Sequence, residues 1–181
     1  MDRNSNVDIE QTVQLVETIY GLLQRLIGLH RQLYDYCRDE KEALLNADVQ
    51  KIQEITKAKQ LVVESIKLLE IDRIKKSTEL SLYWKIPLKE LTLQRIANEI
   101  ETDRKTIAEG LVTALNVLRL LVQRTEVQNT ENQKLVSESM LHINQMKNNI
   151  LGEAVPKSDL YGQKGQSIPH TSGARLLSKE V

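Results

Sequence analysis

The feature of this sequence that most constrains its fold is a pair of hydrophobic stripes that run side by side between residues 9 and 45. In each stripe the residues recur at alternating steps of four and three, the spacing of one face of an α-helix. The first stripe contains Ile9, Val13, Val16, Tyr20, Leu23, Ile27, His30, Tyr34 and Cys37, and the second contains Leu15, Ile19, Leu22, Leu26, Leu29, Leu33 and Tyr36. At about 100° per residue the two stripes cover roughly half of the helix circumference, more than the seam of a two-stranded coiled coil. This helix is therefore predicted to pack against two neighbouring helices at once.

Turn residues divide the rest of the chain into further helices. Residues 46–48 form a short turn in which Asp48 is a good N-cap, so the second helix is predicted to return antiparallel to the first. Pro87 disfavours helix at the residue before it and ends this second helix, and a short helix follows over residues 88–100. Thr102 or Asp103 then caps the start of a third long helix, which runs to about Leu151.

The third long helix is uneven along its length. Its first half carries a normal apolar face, but between residues 123 and 134 the only sizeable apolar side chain is Val127. This middle part is expected either to run beyond the core or to bury polar groups at a cost in free energy. Apolar residues return from Leu135 onwards, and the segment 135–151 is expected to be held loosely, with its apolar face available.

The sequence thus predicts an all-α fold: an antiparallel bundle or coiled coil of three long helices, with a short connecting helix and a flexible C-terminal tail. The predicted helices span residues 7–45, 49–82, 88–100 and 103–151, with the first helix in the middle of the packing. Residues 1–151 form the bundle and residues 152–181 the tail. The tail is assigned from its glycine, proline and serine content, because such segments lack the apolar residues that fold a chain.

Composition excludes several functional classes. Lysine plus arginine and aspartate plus glutamate number 25 each, so there is no net basic charge to attract nucleic acid or an anionic membrane. The apolar runs are far shorter than the roughly 20 residues of a membrane-spanning helix, and the N-terminus lacks a signal-peptide pattern. A single cysteine cannot form an internal disulfide. A soluble cytoplasmic protein is expected.

No motif for catalysis, a metal or a cofactor is found, and no small-molecule substrate is indicated. His30 is interpreted as a hydrogen-bonded residue at the core or its boundary, since the sequence around it lacks the pattern of a phosphotransfer histidine. Cys37 is interpreted as a packing residue, because no histidine that could activate a nucleophilic thiol lies near it in sequence. Tyr83 and Trp84 are interpreted as a plug over one end of the bundle, with a partner-docking patch as the alternative.

Several motifs together resemble the FlgN family of flagellar export chaperones. The hairpin resembles that of the family in residues 44–48 (Leu-Leu-Asn-Ala-Asp), Lys59, Leu69, Glu70 and Arg73. The connecting segment and the last helix are similar to the family in Leu91, Thr92, Leu93, Ile96, Ala97, Asn129, Asn132 and Leu135. The most specific motif follows the last helix, where residues 160–166 read Leu-Tyr-Gly-Gln-Lys-Gly-Gln and resemble a Tyr-Gly-x-x-Gly-Gln signature.

The resemblance implies a cytoplasmic, non-enzymatic chaperone without a cofactor. Its expected partners are hook-associated proteins of the hook-filament junction, similar to FlgK and FlgL, and an export gate protein similar to FlhA, to which the chaperone delivers them. The surplus length of amphipathic helix can bind an amphipathic helix of such a client, and methionine suits adaptable contacts. The expected client-binding residues are Leu135, Val136, Met140, Ile143, Met146 and Ile150.

The tail is expected to dock on the export gate through Tyr161, with Gly162 and Gly165 allowing the backbone to turn around it. The alternative for this tyrosine is packing back onto the helices. The alternative for the whole protein is a structural coiled coil that dimerises through its third long helix, because heptad spacing would look the same in both cases.

Overall fold

The computed structural model describes the backbone of residues 3–100 and 104–151, and the side chains of residues 10–100 and 104–150. Four α-helices of 43, 36, 8 and 47 residues make up more than two thirds of the chain: α1 (Arg3–Leu45), α2 (Val49–Trp84), α3 (Leu93–Ile100) and α4 (Lys105–Leu151). A 3-10 turn at Leu88–Glu90 precedes α3, and no strand occurs in the described ranges. The all-α prediction is confirmed.

The turn between α1 and α2 has the predicted chemistry. The side chain of Asp48 accepts a hydrogen bond from the backbone N–H of Lys51 at 3.0 Å, which caps α2. Ala47 adopts a left-handed conformation with φ of 52°, so the chain reverses within three residues. This short turn brings α2 back antiparallel along α1.

The helix ends at the far side of the hairpin differ from the predicted bounds. Lys85, with φ of 55°, forms a left-handed C-cap, so α2 continues to Trp84 rather than stopping at Leu82. The stretch 88–100, predicted as one helix, is a 3-10 turn followed by α3. The reason is Thr92, whose hydroxyl accepts a hydrogen bond from the backbone N–H of Arg95 and starts a new helix there. The predicted caps Thr102 and Asp103 lie outside the described residues.

Among the described side chains, both stripes of α1 are buried or half-buried, as the sequence predicts. Val16 and Leu23 represent the first stripe and Ile19 and Leu26 the second, each with at most 2% of its surface exposed. They form one core with residues of the other helices, among them Leu80, Ile96, Ala97, Leu111 and Ala114. The central position of α1, packed against both α2 and α4, is confirmed.

The helix α4 is the one described helix that is long and apolar enough to cross a membrane, with an 18-residue window of mean hydropathy 1.3. This comparison considers only the length and the composition of the helix. The same helix contributes Leu111, Ala114 and Leu121 to the core, and 17% of its most apolar window is buried.

By its internal contacts the chain divides into two compact units, Met1–Glu138 and Ser139–Val181. The first contains the hairpin and the core. The described part of the second is the C-terminal end of α4. The predicted tail, residues 152–181, lies outside the described residues, so its division from the bundle at residue 151 stays a prediction.

Candidate protein-interaction site

The contacts that α4 makes change from apolar to polar along the first unit. Between Lys105 and Leu121 its buried residues are Ala108, Leu111, Ala114 and Leu121. Among the described residues after Leu121, the only buried side chain is that of Asn132, which is 2% exposed. Val127, the single sizeable apolar residue of the predicted polar stretch, is 55% exposed. The middle of α4 therefore docks on the hairpin through a polar side chain rather than through apolar packing.

Both the nitrogen and the oxygen of the Asn132 side-chain amide are hydrogen-bonded. Its Nδ2 donates to the backbone carbonyl of Cys37 and to Oε2 of Glu40, both at 2.8 Å, and its Oδ1 accepts from Nε2 of Gln128 at 3.1 Å. Because the amide has left water almost completely, each of these bonds replaces one that water would have made. This residue joins α4 to α1.

A charge pair from the hairpin completes the arrangement. The ammonium group of Lys59 on α2 donates to Oε2 of Glu40 at 2.7 Å and to Oδ1 of Asn129 at 3.3 Å. The side chains of Lys59 and Glu40 are only 18% and 14% exposed, so this pair is screened by water less than a surface pair. We call Glu40, Lys59, Asn129 and Asn132 the polar layer; it ties α1, α2 and α4 together at one level.

The polar layer decides between the two expectations for residues 123–134. The stretch buries a polar group, and the free-energy cost of doing so is offset by hydrogen bonds at each polar atom of Asn132. No buried side-chain nitrogen or oxygen in the described part of the chain is left without a hydrogen-bond partner. Sequence reasoning noted Lys59, Asn129 and Asn132 singly and missed that they form one layer.

Cys37 lies under this layer. Its side chain is 1% exposed, and burial raises the pKa of its thiol, an effect that the nearby Lys59 ammonium group partly opposes. A buried thiol with a raised pKa is mostly protonated at neutral pH and unreactive. The interpretation of Cys37 as a packing residue is confirmed.

His30 lies on α1 seven residues before Cys37 and is half-buried. Burial lowers the pKa of its imidazole below 6.5, and the carboxylate of Glu70 on α2 partly opposes this shift. The residue thus occupies the core boundary, as predicted, and the predicted hydrogen bond to its imidazole stays a prediction. Among the described residues, no group of three or more histidine, cysteine, aspartate or glutamate side chains is placed to hold a metal ion.

The two aromatic residues at the end of α2 have separate environments. Trp84 packs against the core, which fits a plug over the bundle end. Tyr83 is 45% exposed, and its hydroxyl donates a hydrogen bond to Oε1 of Gln11 near the start of α1. Together they tie the end of α2 to the N-terminal part of α1.

The predicted client-binding residues lie on an exposed part of α4. In the first unit Leu135 is half-buried and Val136 is 41% exposed. In the second unit Met140, Ile143, Met146 and Ile150 are 60%, 62%, 51% and 79% exposed, and Leu141 is also exposed at 59%. From Val136 onwards these apolar residues recur at helical spacing, and the polar residues between them are mostly neutral, with Asn144, Gln145, Asn148 and Asn149 among them. Tyr161, Gly162 and Gly165 lie outside the described residues.

A helical hairpin that carries a third long helix with an exposed apolar stripe defines a class of protein that binds other proteins through helix surfaces. The chain matches a family model described as FlgN protein over residues 15–168. It therefore belongs to the FlgN family of flagellar export chaperones. Comparison with curated proteins and with solved structures finds no match.

Proposed function

We propose that this protein is a cytoplasmic export chaperone that binds hook-associated proteins, similar to FlgK and FlgL, and delivers them to the FlhA-like export gate. Membership of the family supports the general role. The observation that carries the finer proposal is the exposed apolar stripe of Val136, Met140, Ile143, Met146 and Ile150. Contiguous exposed apolar surface on a folded protein marks an interaction site.

The chemistry of this stripe supports a partner that presents an amphipathic helix. Apolar side chains at helical spacing bind an amphipathic helix by burying its apolar face, and the two methionines can adapt to side chains of different shape. Because neutral amides are interspersed with the stripe, the proposed contact has few charges to pair. Its affinity is therefore expected to change little between low and high salt.

A matched pair of variants tests the client-binding stripe. Ile143→Asp places a charge in the stripe, whereas Gln145→Asp places the same charge two residues away, on the far side of the same helix. Both residues are exposed, so both variants are expected to melt like the wild type. Isothermal titration with a purified hook-associated protein should show binding lost or weakened more than tenfold by Ile143→Asp and retained by Gln145→Asp. Equal binding by both variants would contradict the proposed surface.

Docking on the export gate is proposed for Tyr161, with Gly162 and Gly165 beside it. The support is the resemblance of residues 160–166 to the family signature, together with the rule that a single aromatic residue can anchor a peptide in a shallow pocket. Tyr161→Ala should weaken binding to the cytoplasmic domain of the gate protein, while Leu176→Ala, in the same tail but outside the signature, should not. A loss of thermal stability with unchanged gate binding would instead favour packing of Tyr161 on the helices.

The exposed stripe would also serve a structural coiled coil that dimerises through α4. Sedimentation of the purified protein alone and with a hook-associated protein separates the two functions. The chaperone should form a complex with its client. A tight dimer that ignores the client would favour the structural function.

A further inference from the structure

We propose that Asn132 is a positioning residue for client binding: by docking the middle of α4 on the hairpin, it keeps the client-binding part of α4 helical before the client arrives. The inference rests on the proposed function of the stripe from Val136 to Ile150. It concerns a residue that does not itself belong to that stripe.

The first step is that Asn132 dominates the docking of this part of α4. After Leu121 it supplies the only buried side chain of α4 in the described range, and it reaches both the backbone of Cys37 and the carboxylate of Glu40. Between the described parts of α4 and α1, an ion pair also joins Lys41 to Glu131, with side chains 40% and 51% exposed. Exposed pairs contribute little to stability, so the buried amide holds the contact.

The second step is that the residues following Asn132 depend on it for their helical state. From Gln133 to Ile150 none of the described side chains is fully buried, and Leu135 and Asn148 are half-buried. Such a segment gains little from tertiary packing, and an isolated helix of this length is marginal in water because starting the first turn is unfavourable. A turn already fixed at Asn132 removes this starting cost, since the helix then only has to propagate.

The third step is reciprocity. A client that binds helical α4 best binds more weakly when only a fraction of the molecules has this segment docked and helical. By the same coupling, the bound client must favour the docked state. Client binding at the stripe should therefore increase the docked fraction at the polar layer, where no client contact is proposed.

Cys37 reports on the docked state. It is the single cysteine of the chain, its side chain is 1% exposed, and its carbonyl accepts a hydrogen bond from Asn132. Because Asn132 of α4 bonds to the backbone at Cys37, we expect undocking of α4 to expose the thiol. The rate at which an aromatic disulfide reagent labels Cys37 in the folded protein would then measure the undocked fraction.

The test compares full-length variants in labelling rate and client affinity. Asn132→Asp keeps the size of the side chain but removes both hydrogen-bond donors and places a second carboxylate beside Glu40. Asn116→Asp makes the same change in α4 at an exposed position outside both the layer and the stripe. In the double variant Asn132→Asp with Glu40→Gln, the layer regains a donor and an acceptor at the original net charge.

Asn132→Asp is expected to speed Cys37 labelling. It should also raise the Kd for a purified hook-associated protein by about 2- to 10-fold, which corresponds to between about one half and one tenth of the molecules having α4 docked and able to bind. The double variant should restore both values only in part, because the carbonyl of Cys37 still lacks its donor from position 132, and Asn116→Asp should change neither. Saturating client should slow the labelling of wild-type Cys37.

Two results would overturn the inference while leaving the proposed function intact. One is client affinity unchanged in Asn132→Asp although Cys37 labelling is faster. The other is a labelling rate of the wild type that does not respond to bound client. If Asn132→Asp does not fold, Asn132→Ala, which adds no charge, provides the same comparison. A wild type that fails to bind any hook-associated protein would overturn the proposed function, and the inference with it.

Discussion

Two glycines in the interior of α1 make a sharp prediction about stability. Gly21 and Gly28 are one heptad apart, and a Cβ built at either position meets no other atom within 4 Å. Gly28 borders a shallow groove between α1 and α2, beside Arg25 and Leu68, so an added methyl group has room there. Alanine in a helix interior is more favourable than glycine by about 0.8–1 kcal/mol. Gly21→Ala and Gly28→Ala are therefore each expected to stabilise the protein by about 1 kcal/mol.

The magnitude converts into a shift of thermal midpoint. For a chain of this size about 1 kcal/mol corresponds to roughly 2–4 °C, and the double variant should gain about twice as much because the two sites share no partner. Circular dichroism melts at 222 nm, supported by urea titration, measure the change. An unchanged or lower midpoint in both single variants would refute the reasoning, since neither crowding nor backbone conformation in the structure opposes the substitution.

Gly110 in α4 is the matched control, because another side chain occupies the space that a Cβ would need. A Cβ at this position would lie 2.9 Å from three atoms of the Tyr20 side chain on α1. Overpacking of this kind typically costs about 1–3 kcal/mol, which offsets or exceeds the gain in helix propensity. Gly110→Ala should thus be neutral or destabilising in the wild type. In a Tyr20→Leu background, where the ring is absent, the same substitution should be stabilising.

Three further predictions follow from burial. Leu26→Asp places a charge at a fully buried position in the core that α1 forms with α2 and α4. The free energy of unfolding should therefore fall by about 4 kcal/mol or more. A nearly unchanged melting temperature would refute the central role of α1. The lowered pKa of His30 means that the unfolded chain binds more protons; stability should be full above pH 6.5 and fall as the pH drops through 6.5 towards the pKa of the folded state. Urea titrations of His30→Gln should show a smaller pH dependence in this range than those of the wild type. Amides of residues 139–150 should exchange hydrogen faster than those of the core in the free protein and more slowly with bound client, whereas protection equal to that of the core in the free protein would count against a loosely held segment.

The fold could be predicted because helical periodicity carries the information directly. Steps of four and three place residues on a face whatever the partner is, so both stripes of α1 were identified before any contact was known. The capping aspartate at position 48 fixed the first turn in the same local way. The remaining errors are at helix ends, where Lys85 and Thr92 act through backbone conformations and single hydrogen bonds that periodicity does not encode.

The polar layer could be predicted only in part. Lys59 stands in the seam of α2 at the steps of four and three that join Ile55 to Val62, and Asn132 continues the seam of Leu118 and Leu121 on α4 at the same spacing. Polar residues at seam positions of two helices are a signal that the sequence does contain. Their pairing with Glu40 cannot be predicted from the sequence, because it depends on the axial register of three helices. That register is set by packing far from these residues.

The position of the polar layer along α4 also accounts for how one helix can serve both a core and an exposed surface. An apolar seam that continued past Leu121 without interruption would join the core to the stripe that begins at Val136, and such a seam allows neighbouring helices to slide or to pair with a second copy. Asn132 instead requires two hydrogen-bond acceptors at fixed places on the hairpin, so only one register satisfies it. The core gains its stability from the apolar half of α4, and the layer ends that core before the exposed stripe begins.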